Sequence, residues 1–234
     1  SNEKRTVIRF CCDAQITVAA ETPNRPSRTR SVAKLSAETL RERSDHILDA
    51  AERCFARAGF HRTTMQDIRR EAAVSPGALY IYFSNKEALI AGIAERERAE
   101  FADRFAQIAG APDFMGALAS LGRRFLIEDP PHRRILCVEI GLEATRNAKV
   151  GEIQSGVEGF IRNCFRDLFT KLKDEGRIAP TYDIDVVVEA FMTLADGLLW
   201  RRAVVADFNA EIVLPPLLDA VGALLRPVPE ESMS

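Results

Sequence analysis

The apolar residues of this chain recur every three or four positions from residue 36 onward, and this spacing constrains the fold more than any other feature. Such a period places the apolar side chains along one face of an α-helix. The first clear stripe runs from Leu40 through Ile47 and Phe55 to Ala58. No run of Val, Ile and Thr alternates with polar residues, as a half-buried strand requires. We therefore expect an all-α protein.

Turn and capping residues divide the helical pattern into separate helices. Gly59 suits the left-handed position that ends a first helix, and Thr64 suits the N-cap of a second. Pro76 opens a short third helix, and Ser84-Asn85-Lys86-Glu87 predicts a capping box for a fourth, which runs toward Ala109. Five more helices are expected at roughly 113–128, 132–147, 149–175, 184–206 and 210–225.

Composition indicates how these helices are grouped. The first 34 residues keep no helical or strand period and become rich in Pro, Ser, Thr and Arg, which is typical of a disordered extension. Pro215 and Pro216 are expected to kink or delay the last helix. The predicted organisation is an extension at 1–34, a first domain at 35–84, a second domain at 85–226 and a tail at 227–234.

Charge is distributed unevenly along the chain. Residues 1–92 carry 15 Lys and Arg against 11 Asp and Glu, a net of +4, whereas residues 93–234 carry 17 against 23, a net of −6. The overall net charge of −2 argues against indiscriminate nucleic-acid binding. The asymmetry favours a basic domain that meets a polyanion and an acidic domain that does not.

No apolar run is long enough to span a membrane, which takes about 18 to 20 residues. The most apolar long stretch, residues 186–200, is interrupted by Glu189 and Asp196. Near the start, Arg9 and Asp13 interrupt the apolar core that a signal peptide needs. We therefore expect a cytoplasmic protein with no membrane partner.

The cysteines and histidines form no metal pattern. The five cysteines are odd in number and follow no C-x-x-C spacing, so reduced thiols are the simplest interpretation. The three histidines are scattered along the chain without the spacing of metal ligands. We expect neither a metal nor a cofactor.

Residues 64–83 combine a helix, a short turn and a second short helix, which is the arrangement of a helix-turn-helix. Ile68 and Ala72 of the first helix and Leu79 of the second are expected to pack inward, with Val74 filling the turn. The outer side of the second helix is expected to expose Ser75, Gly77, Ala78, Ile81 and Tyr82.

The outward residues suit a DNA groove that is flanked by phosphates. Gly77 and Ala78 allow the backbone to approach closely, and an alanine methyl can touch a thymine methyl. Tyr82 offers a rigid hydroxyl, and Lys86 lies in the first turn of the next helix, where free amides favour a phosphate. Alternatively, Tyr80 and Tyr82 are core aromatics and Lys86 is a solvated helix start.

These residues belong to a longer string that resembles the TetR/AcrR repressor family. The string runs from Ile47-Leu48-Asp49-Ala50-Ala51 through Thr63–Ile68 to Val74–Leu89. The resemblance implies an all-α homodimer with a ligand-binding second domain that releases an operator when a small-molecule inducer binds. It implies phosphate contacts from Thr64 and Lys86, and groove or backbone contacts from Gln66, Pro76, Gly77, Ala78, Tyr80 and Tyr82, with Ser75 beside them.

The chain departs from the family pattern at two positions. Arg69 stands where the family usually has Ala, and it either points outward to a phosphate or is simply tolerated. Ala73 stands where the family usually has Gly, and its side chain in the turn carries a modest conformational cost.

The second domain is expected to hold a mostly apolar pocket with a few polar groups. Core packing is the alternative for each aromatic candidate, and polar residues inside apolar stripes are the better pointers. The predicted ligand-binding residues are Phe105, Phe125, Glu139, Phe160, Asn163, Phe191, Thr193 and Trp200. The helix at 85–109 is expected to act as a lever between pocket and DNA. The last two helices of each subunit are expected to form a four-helix dimer interface.

The residues disfavour two other classes of protein, an enzyme and a general architectural DNA-binder. An enzyme would need a nucleophile–base pair or paired carboxylates in a cleft, and the only candidate pair, Glu139 and Glu143, has no further support. A general architectural DNA-binder should be basic throughout, which this chain is not. We therefore expect a non-enzymatic, sequence-specific transcriptional repressor that binds a near-palindromic double-stranded operator.

Overall fold

A computed structural model describes residues 37–108 and 110–228. This part of the chain forms α-helices, one π-helical turn and no β-strand, with a single isolated antiparallel bridge between Ile178 and Pro227. The helices are α1 (Ala37–Ala58), α2 (Met65–Glu71), α3 (Pro76–Tyr82), α4 (Lys86–Ile108), α5 (Phe114–Arg123), α6 (Pro131–Ala144), α7 (Ala148–Asp174), α8 (Ile184–Val204) and α9 (Ala210–Leu225). The all-α prediction is confirmed. The predicted extension at 1–34 and residues 229–234 of the predicted tail lie outside the described residues.

Local chemistry explains where the first helices start and stop. Gly59 adopts a φ of +79° after α1, as the left-handed cap position requires. Thr64 caps α2, since its hydroxyl accepts a hydrogen bond from the Asp67 amide at 3.1 Å and the Asp67 carboxylate accepts one from the Thr64 amide at 3.0 Å. Ser75 caps α3 in the same manner, accepting from the Ala78 amide at 3.2 Å.

Two predicted helix ends need correction. The N-cap of α4 is Asn85 and not Ser84, because the Asn85 side chain accepts a hydrogen bond from the amide of Ala88 at 2.8 Å. The helix therefore begins at Lys86. Pro215 and Pro216 do not delay α9, which begins at Ala210 and continues through both of them.

The first hydrophobic core unites α1, α2 and α3. Ile68, Ala72 and Leu79 are all buried and Val74 packs against them, as the helix-turn-helix pattern predicts. Leu89 of α4 and Leu136 of α6 are buried in the same core. α1, α2 and α3 are thus packed directly on two helices of the remaining chain. The boundary between residues 84 and 85 stays a prediction.

A second core lies among α4, α5, α7, α8 and α9. Phe101, Phe165 and Phe169 are buried there, with ring centroids 5.9 Å apart for Phe101 and Phe165 and 5.8 Å apart for Phe165 and Phe169. A π-helical turn at Arg124–Glu128 extends α5; such turns are frequent at functional sites. Across the described ranges, no helix combines the length and apolarity needed to cross a membrane.

Candidate DNA-binding surface and ligand cavity

The turn between α2 and α3 is built around Ala73. Its φ of +50° lies in the left-handed region, which favours glycine. Arg69 stabilises the turn from α2, because its guanidinium donates to the carbonyl of Val74 at 3.4 Å and to the side-chain oxygen of Gln66 at 3.1 Å. Arg69 is therefore a structural part of the turn, and it orients Gln66, one of the predicted DNA contacts.

The outer face of α3 is open. Tyr80 is 58% exposed and Ile81 is 80% exposed, so the alternative that Tyr80 is a core residue is wrong. A side-chain carbon placed on Gly77 would meet nothing within 4 Å, and Ser75 and Pro76 are exposed beside it. This face presents small residues and one exposed tyrosine to the surroundings, as a groove-binding helix requires.

Three other predicted contacts, Tyr82, Ala78 and Thr64, also interact with other parts of the protein. Tyr82 is half-buried and packs against the first core, and Ala78 is half-buried as well. Thr64 is exposed, but its hydroxyl also donates to the Asp67 carboxylate at 2.6 Å. Two alternatives were open for Tyr82, a core residue or a DNA contact. The structure shows that its ring packs against the first core while part of it stays exposed.

Lys86 lies against the loop between α1 and α2. Its ammonium donates to the carbonyl oxygen of Phe60 at 2.5 Å and lies 4.2 Å from the centroid of the Phe60 ring. Arg62, which the motif did not single out, is exposed in the same loop, two residues before the α2 cap. Lys86 and Arg62 are therefore two cations at the loop that precedes α2.

A cavity of about 400 Å³ lies among α4 to α9 and the π-helical turn. Most of its walls are apolar, and four phenylalanines contribute to them: Phe101, Phe125, Phe165 and Phe191. Of the predicted ligand-binding residues, Phe125 and Phe191 line this cavity. Size and lining are typical of a pocket for a small organic molecule.

The structure does not bring the other aromatic candidates to the cavity wall. Phe105 and Phe160 pack behind it on Phe101, with ring centroids at 5.5 Å and 6.1 Å. Trp200 is 54% exposed. Each follows the apolar spacing of its helix, but this spacing does not distinguish a cavity wall from the layer behind it.

The polar candidates also lie elsewhere. Asn163 is exposed and its side-chain oxygen accepts from Arg166 at 2.9 Å. Thr193 is exposed and its hydroxyl donates to the carbonyl of Glu189 at 2.7 Å, one turn earlier in α8. Because each polar group is satisfied by a neighbour on its own helix, neither needs a ligand inside the protein.

Glu139 contacts the loop between α1 and α2 instead of the cavity. Its Oε1 atom accepts a hydrogen bond from the backbone amide of Phe60 at 2.8 Å. One turn later, the buried Glu143 lies 2.8 Å from the Nε2 atom of His61. α6 therefore binds the loop after α1 with one face, while Leu136 and Cys137 on an adjacent face line the cavity.

Charged residues that sequence analysis missed connect the cavity to α1. Arg133 lines the cavity and donates to the buried Glu52 of α1 at 3.1 Å. Arg96 of α4 also pairs with Glu52 and donates to Asp49 at 2.8 Å. Glu97 lines the cavity as well. It follows Ile93 by four residues, so the sequence already indicated that both side chains lie on the same face of α4.

Comparison with known proteins agrees with this geometry. Residues 47–93 match the family described as bacterial regulatory proteins, tetR family. The HTH-type transcriptional regulator UidR of Escherichia coli strain K12 is 30% identical over 169 residues, which cover 70% of this chain and 81% of UidR. The chain belongs to the tetR family.

Solved structures give the same assignment. GusR of Salmonella enterica superposes with a TM-score of 0.70 at 26% identity, covering 82% of this chain and 99% of GusR. FadR of Bacillus subtilis, solved in complex with stearoyl-CoA, has a TM-score of 0.67 at 18% identity over 76% of this chain and 96% of FadR, which shows a common fold. This tetR-family chain is a DNA-binding transcriptional regulator, and the matched range contains every predicted DNA contact.

Proposed function

We propose that this tetR-family chain is a homodimeric repressor that binds a near-palindromic operator and releases it when a small molecule enters the cavity. The observation that carries the proposal is the double role of α6. This helix lines the cavity with Leu136 and Cys137 and holds the loop after α1 with Glu139. A molecule in the cavity therefore adjoins an element that positions the DNA-binding helices.

The proposed DNA contacts follow from the exposed face of the helix-turn-helix. α3 enters the major groove, where Gly77 and Ala78 let its backbone approach the bases and Tyr80 reaches them or the adjacent backbone. Pro76 and Tyr82 are the first and last residues of this helix. Together with Thr64, Gln66, Ser75 and Lys86 around it, they bind phosphates or the groove edge. Arg62 is added to this set as an exposed cation in the neighbouring loop.

The proposed dimer forms through α8 and α9. Trp200 and Val204 of α8 are 54% and 50% exposed, and Ile212 of α9 is 71% exposed. Large apolar side chains with this exposure on two long helices are typical of an oligomer interface. Pairing the two helices with those of a second copy produces a four-helix interface about a two-fold axis.

Two helices, α4 and α6, connect the cavity to the loop after α1, and the proposed release of the operator depends on both. α4 lines the cavity from Ile90 to Phe101 and starts at Lys86, which holds the Phe60 carbonyl. α6 holds the Phe60 amide through Glu139. A ligand that shifts either helix changes the position of the helix-turn-helix and hence the spacing between the two recognition helices. The ligand acts through its different affinities for the two states, and couplings of about 1–3 kcal/mol are typical.

The experiment selects duplexes from a random-sequence pool with the full chain, followed by footprinting of the selected site. The proposal predicts two related half-sites whose centres lie about 34 Å apart, one turn of DNA. A single half-site bound at full affinity by one copy would contradict it, as would equal binding to all sequences.

A further inference from the structure

Glu97 of α4 is an acidic group in the cavity wall without a partner. No hydrogen bond or ion pair joins its carboxylate to another residue in the ranges 37–108 and 110–228. Asp196 of α8 lines the same cavity and is likewise unpaired within that part of the chain. An unpaired carboxylate in apolar surroundings is costly, so Glu97 gains from a positive partner, whereas Asp196 is exposed and adds only its charge.

The remaining acids of the cavity wall are already neutralised. Glu100 accepts from Arg104 at 3.1 Å and from Arg124 at 3.2 Å. Asp129 lies 3.9 Å from Arg133, and Glu158 accepts from Arg162 at 2.5 Å. Glu97 and Asp196 are therefore the acids that remain available to a ligand.

The bases of the wall are engaged as well. Arg133 donates to Glu52 at 3.1 Å and lies 3.5 Å from Glu100. Arg98 also lines the cavity. Its guanidinium carbon lies 4.9 Å from the centroid of the Phe160 ring and one of its nitrogens is 3.8 Å from Glu95, while its buried Nε atom has no hydrogen-bond partner among the described residues. Five acidic side chains line the cavity against these two bases, and this balance disfavours an anion.

Aromatic rings form part of the cavity wall beside these charged groups. Phe101, Phe125, Phe165 and Phe191 line the cavity, and aromatic faces attract organic cations, quaternary ammonium groups above all. The acids do not supply a metal site, since no group of three or more His, Cys, Asp or Glu side chains in the described part of the chain is placed to hold a metal ion. The unpaired carboxylates and the phenylalanine rings together therefore favour an organic cation as the ligand.

We propose that the cavity is specific for an organic cation with an apolar body, whose positive charge pairs with Glu97. This inference rests on the proposed function, in which the cavity holds the inducer. The apolar body contacts the phenylalanine walls, and Asp196 strengthens the negative field across the cavity. Burial raises the pKa of Glu97 to about 7, and a cation beside this carboxylate would stabilise its charged form.

The test uses three probes of nearly equal shape and different charge: benzyltrimethylammonium, neopentylbenzene and benzylsulfonate. Each displaces a neutral fluorescent dye, N-phenyl-1-naphthylamine, from the full chain at pH 8. The cation is expected to bind at least about tenfold more tightly than its neutral isostere, equivalent to about 1.4 kcal/mol. Equal or tighter binding of the neutral or the anionic probe would overturn the proposal, and so would failure of all three to displace the dye.

Two variants locate the charge that is recognised. Glu97→Gln is expected to abolish the preference for the cation, whereas Asp103→Asn, which removes an exposed carboxylate from the same helix, is expected to keep it. A preference that survives Glu97→Gln would overturn the pairing with Glu97. Thermal unfolding of both variants confirms that the comparison is made between folded proteins.

Operator binding separates this inference from the proposed function. If benzyltrimethylammonium binds and loses its preference with Glu97→Gln while the operator complex persists, the ligand class stands and the release mechanism fails. If neopentylbenzene or benzylsulfonate binds best and dissociates the operator complex, the release mechanism stands and the ligand class is wrong.

Discussion

The backbone amide of Phe60 donates a hydrogen bond to the Oε1 atom of Glu139 at 2.8 Å, across 79 residues of sequence. The Phe60 carbonyl accepts from Lys86 at the same place. The loop after α1 is thus held by α6 through its amide and by α4 through its carbonyl. Both helices line the cavity, and the helix-turn-helix starts a few residues beyond the loop.

Removing the Glu139 carboxylate should weaken this junction. Glu139→Ala leaves the amide of the buried Phe60 without a partner, so we expect the free energy of unfolding to fall by about 1–3 kcal/mol. Denaturant unfolding followed by circular dichroism measures the change. The matched control is Glu152→Ala, an exposed carboxylate on α7, which should stay within about 0.5 kcal/mol of the parent. Equal stability of both variants would show that the junction contributes nothing.

Lys86 should contribute one phosphate contact per subunit. Lys86→Ala is expected to weaken binding to all duplexes alike and to reduce the slope of log K against log salt by about 0.9 per subunit. Fluorescence anisotropy between low and moderate salt measures the slope. Lys173→Ala, at the exposed end of α7, serves as the control with the same loss of charge. An unchanged slope with lower thermal stability would mean that Lys86 only fastens the Phe60 loop.

Replacing alanine by glycine should change stability in opposite directions at Ala73, the strained turn residue, and at Ala102. Ala73 has a φ of +50° and is exposed, so Ala73→Gly should relieve roughly 1 kcal/mol of backbone strain, less the entropy that glycine loses on folding. Ala102→Gly, exposed within α4, should instead cost about 1 kcal/mol. Thermal unfolding should place Ala73→Gly at or above the parent and Ala102→Gly below it. A clear loss of stability in Ala73→Gly would contradict the strain.

Glu97 should make stability depend on pH. Burial is the main cause that raises its pKa from 4.5 to about 7; Glu52 and Asp129 add to the rise, and Arg133 and Arg96 oppose it. The folded protein therefore keeps a proton that the unfolded chain releases between these values, so stability is lost as the pH rises through this window. Glu97→Gln should restore roughly 1–3 kcal/mol at pH 8 and almost nothing at pH 4.

The control for this pH dependence is again Asp103→Asn on the exposed side of α4. Its stability should follow that of the parent at both pH values. The account of Glu97 would be wrong if Glu97→Gln gained as much stability at pH 4 as at pH 8, because a carboxyl that is protonated in both states contributes no linkage.

The sequence was sufficient where local chemistry decides the structure. Thr64, Pro76 and Gly59 mark helix ends through their own side chains or backbone freedom, and they occupy the expected positions. The inward side of the helix-turn-helix follows from helical periodicity, and Ile68 and Leu79 are buried accordingly.

The cavity could not be predicted to the same extent, because its walls depend on how six helices pack together. Phe101 and Phe105 lie one turn apart on α4 and stack on each other, yet only Phe101 lines the cavity. Glu139, flanked by apolar residues, suggested a polar group inside the pocket, but its carboxylate reaches a backbone amide of a distant loop. Partners so far apart in sequence leave no periodic signal.

Filling the cavity without any ligand tests the central claim most directly. Val157 of α7 lines the cavity, so Val157→Trp should act as a built-in inducer, whereas Thr193→Trp places the same ring on the exposed side of α8. The measurement is the dissociation constant of each folded, dimeric variant for the selected operator duplex. We expect Val157→Trp to bind at least about fivefold more weakly than the parent and Thr193→Trp to bind equally. Parent-like affinity of Val157→Trp would contradict the claim that the cavity controls the DNA-binding helices.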